Sequence, residues 1–173
     1  MGKRKKSNTK HISDNGAYFN KANSNTYRTG RIYSRKNRKY IPYRSAYEYA
    51  YIMKLEKDEN IISYISEPFE IKYINTDGVL KTYIPDLLVL HSDGSVYLEE
   101  IKPSAMTKAL NVKRKASSAR RYLKEYYPTA KYRFVTEESI FKSNKEYMEV
   151  LSKIWQEKSY TKIYFHSTLK PLV

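Results

Sequence analysis

The sequence predicts an α/β (α+β sandwich) fold in which helices flank a mixed sheet, preceded by an extended basic arm. Three observations favour this fold class. A helix start signal lies near residue 45. Three strand-like segments separated by turns follow it. The remaining sequence then shows the patterns of a helix, a strand and a further helix, in that order. At 173 residues the chain is long enough to bury a core. We therefore expect an arm over residues 1–42, a core over 43–140, and a C-terminal helix with a tail over 141–173.

The composition excludes cysteine chemistry and gives no sign of a membrane segment. The chain contains no cysteine, so neither disulfides nor cysteine-based zinc sites can form. Its three histidines are far apart in sequence and show no metal-ligand spacing. No apolar run approaches the length of a membrane span, and no signal-peptide core follows the first residues. We expect a cytosolic protein, or a component of an assembly built in the cytosol, with no membrane partner.

Positive charge is concentrated in two segments of the chain, whose net charge is +15. Residues 1–46 contain 13 Lys and Arg against one acid, a balance of +12, and residues 104–173 carry +9. Residues 47–103 between them carry −6. Such charge favours a polyanionic partner, above all nucleic acid. A basic protein with a solvated surface, or a ribosome-like binder, fits the charge equally well.

The first 42 residues are rich in Lys, Arg, Asn, Ser and Tyr and show little apolar periodicity. This composition predicts an extended arm that is ordered only against a partner or against the core. The arm also carries more tyrosines than a linker needs, which indicates that it docks on something. These are Tyr18, Tyr27, Tyr33 and Tyr40.

A capping box opens the first helix of the core, with Ser45 at the N-cap and Glu48 three residues later. One face of this helix carries Tyr47, Tyr51 and Leu55. Three strands follow, separated by the turns Thr76-Asp77-Gly78 and Ser92-Asp93-Gly94. The strands are predicted at residues 61–74, 80–90 and 95–102, with Pro68 restricted to an edge or an entry and Pro103 ending the third.

The second half of the core alternates helix and strand. A basic helix is predicted at residues 107–126 and a fourth strand at 130–136. Ser143 and Glu146 form a second capping box that opens another helix, and residues 162–169 are predicted as a last strand or a tail. The apolar stripe of the basic helix comprises Leu110, Ala116, Ala119 and Leu123, and that of the last helix Tyr147, Val150, Leu151, Ile154 and Trp155.

The second and third strands carry a candidate constellation. Because side chains alternate along a strand, Glu100 and Lys102 share one face while Glu99 points to the other. Asp86 lies 14 residues before Glu100, about what one hairpin spans with its turn. If the two strands pair around the turn at 92–94, the register can bring Asp86, Glu100 and Lys102 together.

This constellation predicts a site for Mg²⁺ or Mn²⁺. Two converging carboxylates repel each other unless a cation lies between them, and Mg²⁺ completes a few carboxylate ligands with water and phosphate oxygens. The backbone carbonyl of Ile101 is a natural extra ligand, and Lys102 would stabilise charge or orient a water molecule for attack on a phosphodiester. The alternative is structural: Glu100 and Lys102 form a solvated cross-strand ladder, and Asp86 caps a turn.

Residues 43–103, "YRSAYEYAYIMKLEKDENIISYISEPFEIKYI…DGVLKTYIPDLLVLHSDGSVYLEEIKP", resemble the PD-(D/E)XK nuclease superfamily. They resemble more closely the head-completion nucleases of tailed phages and the endonuclease domain of heteromeric transposases. Residues 115–140 also resemble the helix, strand and Thr-Glu segment of these families. The shared order is a Glu on an early helix, Ser-Glu entering a strand, Pro-Asp, and Glu-x-Lys-Pro, here Glu48, Glu67, Asp86, Glu100 and Lys102.

The resemblance implies a restriction-endonuclease-like core and metal-dependent DNA cleavage. It implies that Glu48, Asp86, Glu100 and Lys102 are catalytic, that Glu48 joins Asp86, Glu100 and the Ile101 carbonyl at the metal, and that Glu67 is auxiliary. Capping alone also explains Glu48, and a polar position on an edge strand explains Glu67.

The resemblance implies double-stranded DNA as the substrate, virion head, neck or portal proteins as partners, and a location in a virion or in the host cytoplasm. The basic side chains expected to contact DNA are Arg35, Lys36, Arg38, Lys39, Arg44, Lys113, Arg114, Lys115, Arg120 and Arg121, for which a solvated surface is the alternative. Three functions follow: an endonuclease of phage head-completion type, a structural neck or connector protein that retains the nuclease fold, and the end-cleaving subunit of a transposase, which requires a partner recombinase.

Overall fold

The computed structural model describes residues 29–167, which form a mixed four-stranded sheet, two small two-stranded sheets and four α-helices. The strands are β1 (Gly30–Ser34), β2 (Lys39–Tyr43), β3 (Ile61–Ser66), β4 (Ile71–Ile74), β5 (Leu80–Tyr83), β6 (Leu87–His91), β7 (Val96–Ile101) and β8 (Lys131–Val135). The helices are α1 (Ala46–Lys57), α2 (Leu110–Tyr126), α3 (Glu137–Ile140) and α4 (Asn144–Ser167), and a 3₁₀ turn covers Ser104–Met106. The predicted fold class, a mixed sheet flanked by helices, is confirmed.

The central sheet has the strand order β3-β6-β7-β8. Its first three strands are antiparallel, and β8 runs parallel to β7 because α2 returns the chain to the same end of the sheet. The turn with Gly94 at φ 82° joins β6 to β7 and sets a register in which Leu87 faces Glu99. This register determines which acids meet at the end of the hairpin.

Helix α1 covers one face of the sheet. Ser45 caps it as predicted, since its hydroxyl accepts the N–H of Glu48 at 3.1 Å. The buried side chains Tyr51, Ile52 and Leu55 belong to the same core cluster as Val89 of the sheet. Full burial of an aliphatic side chain of this size contributes roughly 1.5–3 kcal/mol. The N-cap at Ser45 is therefore confirmed with its helix on the core, while the Glu48 carboxylate accepts the N–H of Arg44, one residue before the N-cap.

Helix α2 covers the opposite face. Ala116, Ala119 and Leu123 are buried as predicted, the last two beside Leu98 of β7. Leu110 was wrongly assigned to this stripe, because it is 58% exposed. The helix begins only at Leu110, after the 3₁₀ turn, and its first turn faces the β4–β5 turn, where Asn111 accepts the N–H of Thr76.

Two predicted strands are each broken. Residues 61–74 form β3 and β4, and residues 80–90 form β5 and β6. Glu67, at φ 52°, and the following Pro68 interrupt the first, while Pro85 interrupts the second because it has no N–H to donate. The outer halves pair as a separate hairpin, β4–β5, around Gly78 at φ 75°.

The prediction of an extended arm is wrong for residues 30–42, which belong to the β1–β2 hairpin. Ser34 is fully buried and donates to Glu56 of α1 at 2.6 Å, and Ile41 is 1% exposed in the core. In the hairpin turn, Asn37 accepts the N–H of Tyr64, so the turn covers part of the β3 edge. Tyr33 and Tyr40 are exposed and pair edge to face, whereas Tyr18 and Tyr27 lie outside the described residues. The division of the chain into arm, core and C-terminal segment stays a prediction.

Helices α3 and α4 pack against α1. Ser143 accepts the N–H of Glu146 at 3.3 Å and is confirmed as the N-cap, while the Glu146 carboxylate accepts the N–H of Lys142, one residue earlier. Ile154 is buried, and Tyr147, Val150 and Leu151 pack on the same cluster, whereas the side chain of Trp155 is outside the described set. A strand over 162–169 is wrong for residues 162–167, which continue α4, and 168–169 are not described. In residues 29–167, no helix is long and apolar enough to cross a membrane.

Candidate active site

Asp86 enters the site from the start of β6. It follows the fully buried Pro85, and its backbone carbonyl accepts the N–H of Glu67 at 3.0 Å. Its carboxylate accepts the N–H of Ile101 at 2.7 Å across the hairpin. Because Leu87 faces Glu99, Asp86 stands opposite Glu100, the convergence that the sequence predicted.

Glu100 is almost completely buried, at 3% exposure, near the end of β7. One carboxylate oxygen lies 2.9 Å from the ammonium of Lys102, and the other accepts a hydrogen bond from the hydroxyl of Tyr83 at 2.8 Å. The same ammonium is 3.9 Å from the carboxylate of Asp86. The lysine therefore lies between the two acids, and the solvated ladder considered from sequence is excluded for Glu100.

Glu48 reaches the same place from the first turn of α1. Its carboxylate accepts the N–H of Arg44 at 2.8 Å and the hydroxyl of Ser45 at 3.1 Å, so it does cap the helix. It also lines a cleft with Asp86 and Glu67. Capping and membership of the site are compatible, because the cap holds the carboxylate at the cleft.

Glu67 lies at the rim of this cleft in a strained conformation. Its φ of 52° falls in the left-handed region, which side chains other than glycine adopt at a cost of about 1–3 kcal/mol. Its carboxylate forms an ion pair with the guanidinium of Arg44, which also lines the cleft. The strained residue thus closes one side of the cleft.

The carboxylates outnumber the cations at the centre of the site. Burial, the charge of Glu100 and the charge of Glu48 raise the pKa of Asp86 to about 7, although Lys102 and the Ile101 N–H oppose the shift. Burial likewise raises the pKa of Glu48. For Lys102, burial favours the neutral amine, but Asp86 and Glu100 outweigh it and raise the pKa. Three acids against one ammonium leave an excess negative charge that a divalent cation would neutralise.

The side chains of this site can supply only part of the coordination shell of a hard cation such as Mg²⁺. Within residues 29–167, no group of three or more His, Cys, Asp or Glu is arranged to hold a metal ion. Asp86 and Glu100 offer two facing carboxylates, and Mg²⁺ is commonly bound by one or two carboxylates with water and substrate phosphate. The residues fit an ion that is completed by its substrate. The Ile101 carbonyl as a ligand stays a prediction.

Sequence reasoning missed two partners of the site strand. Tyr83 donates to Glu100, and no pattern in the sequence singles it out. Glu99, correctly assigned to the other face, is fully buried and accepts a hydrogen bond from Arg133 of β8 at 2.7 Å. Burial raises the pKa of Glu99 despite this guanidinium.

The basic side chains expected on DNA form two groups, apart from Arg44, whose guanidinium pairs with Glu67 at the cleft. Arg35, Arg38 and Lys39 are exposed on the β1–β2 hairpin, whereas the ammonium of Lys36 binds the backbone carbonyls of Asp58 and Ile61. Lys113, Arg120 and Arg121 are exposed on α2, and Arg114 and Lys115 are partly covered. The ammonium of Lys115 lies over the rings of Tyr73 and Tyr83, and the Arg120 guanidinium over that of Tyr132. DNA contact at these positions stays a prediction.

A family model described as TnsA-like endonuclease N terminal matches residues 58–161, more than half of the chain. It falls within the restriction-endonuclease-like, PD-(D/E)XK superfamily. The matched range contains Glu67, Asp86, Glu100 and Lys102 and leaves out Glu48. No curated protein matches the chain.

Proposed function

The chain belongs to the family of TnsA-like endonuclease N-terminal domains, and we propose on this basis that it is a metal-dependent DNA endonuclease. The observation that carries the proposal is the pairing of the half-buried Asp86 with the buried Glu100, with the Lys102 ammonium 3.9 and 2.9 Å from the two carboxylates. A packed core gains little from such a cluster, since buried like charges destabilise a fold. The arrangement is suited to chemistry on a phosphodiester.

Asp86 and Glu100 would hold Mg²⁺ or Mn²⁺, while Glu48 and the Ile101 carbonyl line the same cleft and would become ligands by moving towards the ion. The bound ion would supply charge neutralisation at the scissile phosphate and lower the pKa of a water molecule. Glu67 would act from the rim, through its ion pair with Arg44.

Lys102 acts as a fixed positive charge in this proposal. Asp86 and Glu100 raise the pKa of its amine, so the amine is protonated before an ion binds and can donate to a phosphate oxygen or to the attacking water. Donors that are already oriented in a buried site stabilise developing negative charge better than water does. The exposed Arg and Lys of the hairpin and of α2 would bind the flanking phosphates.

The finer role that we propose is the DNA-cleaving subunit of a heteromeric transposase, acting with a partner recombinase. The family match supports this role at least as well as the head-completion role. The head-completion nuclease, the structural virion protein, and the virion location stay predictions. Affinity purification from cells that carry the native neighbouring genes tests the choice: recovery of a recombinase supports the transposase, and recovery of portal or neck proteins at fixed stoichiometry contradicts it.

Cleavage of supercoiled double-stranded DNA by the full chain tests the nuclease itself. We expect nicked or linear product with Mg²⁺ or Mn²⁺, and none from Asp86→Ala or Glu100→Ala. Glu70→Ala is a matched control, because it removes an exposed carboxylate just before β4. Absence of cleavage with every divalent metal, or equal cleavage by wild type and both acid variants, would rule the proposal out.

A further inference from the structure

Tyr83 is linked to the candidate metal-binding site although it belongs to a different sheet. It is the last residue of β5, is 4% exposed, and donates its hydroxyl to Glu100 at 2.8 Å. The other oxygen of Glu100 faces the Lys102 ammonium at 2.9 Å. Each carboxylate oxygen therefore has one partner, and each partner comes from a different part of the fold.

The Tyr83 ring is held in place on two sides. Tyr73 packs against it edge to face, with the ring centroids 6.4 Å apart and the planes at 82°. The ammonium of Lys115, on α2, lies 5.3 Å from the Tyr83 ring centroid. A cation over the ring face draws electron density from the phenol, which makes its hydroxyl a stronger donor. These ring contacts fix the position of the phenol oxygen, which lies 2.8 Å from the Glu100 carboxylate.

The Tyr83 hydroxyl is the donor in its hydrogen bond with Glu100, because an ionised carboxylate can only accept. Packing does not require the hydroxyl, because the ring lies in an apolar cluster with Ile71, Leu98 and Ala119 that phenylalanine would fill equally well.

We infer that Tyr83 is a positioning residue for the proposed metal site: its hydrogen bond holds the Glu100 carboxylate in the orientation that binds a divalent cation. The inference rests on the proposed function. A glutamate free to rotate loses side-chain entropy when it binds a metal, and a carboxylate fixed in advance loses less. Hydrogen-bond partners of metal ligands typically change metal affinity by about 10–100-fold.

Titration of the full-length protein with Mn²⁺, followed by electron paramagnetic resonance of the free ion, tests the inference. We expect Tyr83→Phe to weaken Mn²⁺ binding by about tenfold or more. Tyr73→Phe is the matched control, because it removes a hydroxyl from a buried tyrosine on the paired strand that contacts the Tyr83 ring. Tyr73→Phe should bind Mn²⁺ like the wild type. In Glu100→Gln protein, adding Tyr83→Phe should cause no further loss.

The outcomes separate the inference from the proposed function. If the wild type binds Mn²⁺ and Tyr83→Phe binds it equally well, Tyr83 only satisfies a buried acid, and the inference is overturned. If the wild type does not bind Mn²⁺, the proposed function fails and takes the inference with it. If Tyr83→Phe does not fold, the test is instead made on the wild type, by following the NMR signal of the Tyr83 hydroxyl proton during a titration with Mg²⁺. Its signal should shift with Mg²⁺ at the midpoint of binding, and an unchanged signal would overturn the inference.

Discussion

The carboxylate of Asp86 accepts a hydrogen bond from the backbone N–H of Ile101 at 2.7 Å. The acid that follows the proline is thus fastened to the strand that carries Glu100 and Lys102. The contact is made between backbone and side chain, and an asparagine could preserve it, since its amide oxygen also accepts. Replacement of Asp86 by asparagine therefore removes the negative charge and keeps the hydrogen bond to the Ile101 N–H.

Asp86→Asn should remove metal binding and leave the fold at least as stable. The wild type should gain thermal stability with Mn²⁺, because a ligand that binds only the native state stabilises it by mass action, by about 2.7 kcal/mol at 100 times Kd. The variant should show no gain. Without metal, its melting temperature should equal or exceed that of the wild type, since one of three crowded carboxylates is gone. Differential scanning calorimetry with and without Mn²⁺ measures both, and an equal Mn²⁺ shift in the two proteins would contradict the site.

Lys102→Met should have the opposite effect on metal binding. Removing the ammonium 2.9 Å from Glu100 removes a competing cation, so Mn²⁺ should bind as tightly as in the wild type or more tightly. Cleavage should nevertheless fall about 10²-fold or more, because a donor to the reacting phosphate is lost. The exposed Lys108→Met serves as control. Parallel losses of binding and cleavage in Lys102→Met would mean that the lysine only supports the fold.

Glu48→Gln and Ser45→Ala should separate helix capping from the site. Glutamine still serves a capping box, so Glu48→Gln should leave the free energy of unfolding nearly unchanged while weakening Mn²⁺ binding. Ser45→Ala should cost about 1 kcal/mol of stability and weaken Mn²⁺ binding less than Glu48→Gln does, because the Arg44 N–H still holds the Glu48 carboxylate at the cleft. Urea unfolding and Mn²⁺ titration together decide this, and an unchanged metal affinity in Glu48→Gln would remove Glu48 from the site.

Glu56 should make the anchoring of the β1–β2 hairpin sensitive to acid. Burial favours the neutral carboxyl, but hydrogen bonds from Ser34, Tyr64 and the Arg35 N–H outweigh it and lower the pKa of Glu56 below its usual 4.5. A lowered pKa stabilises the fold above pH 4.5, and this contribution disappears as the pH falls through the folded-state value. The stability difference between wild type and Glu56→Gln should therefore shrink from pH 6 to pH 3.5. A difference independent of pH would contradict the anchoring.

The exposed basic residues of the hairpin should govern the salt dependence of DNA binding. Replacing Arg35, Arg38 and Lys39 by glutamine should lower the slope of log K against log salt by up to about 3, since each phosphate contact contributes about 0.9. Lys36→Met should reduce stability and leave the slope unchanged, because its ammonium binds the carbonyls of Asp58 and Ile61. Fluorescence anisotropy at several salt concentrations measures the slope, and an unchanged triple variant would exclude the hairpin from DNA contact.

The parts of the fold that were predicted correctly depend on residues close to each other in sequence. Both N-caps, Ser45 and Ser143, bond to the residue three positions later, so both partners lie within a few residues of the sequence. The glycine turn at Gly94 sets the register of β6 and β7, and register alone places Asp86 opposite Glu100. The meeting of the two acids was therefore predictable before any tertiary contact was known.

The parts that could not be predicted depend on distant partners. Tyr83 meets Glu100 across 17 residues, and Arg133 meets Glu99 across 34. One of the inward-facing residues of the β1–β2 hairpin, Ser34, is polar and is buried because it donates a hydrogen bond to Glu56. The hairpin therefore lacks the apolar alternation by which a buried strand is predicted. The broken strands required knowledge that the chain leaves the central sheet at Glu67 and returns at Asp86, which apolar alternation does not encode.

A crystal of the full chain soaked in Mn²⁺, with diffraction recorded at the manganese absorption edge, tests the central claim most directly. The account predicts an anomalous peak bound by the side chains of both Asp86 and Glu100, and its absence in a crystal of Asp86→Asn. The absence of a peak at these two carboxylates, at a saturating Mn²⁺ concentration, would contradict the account.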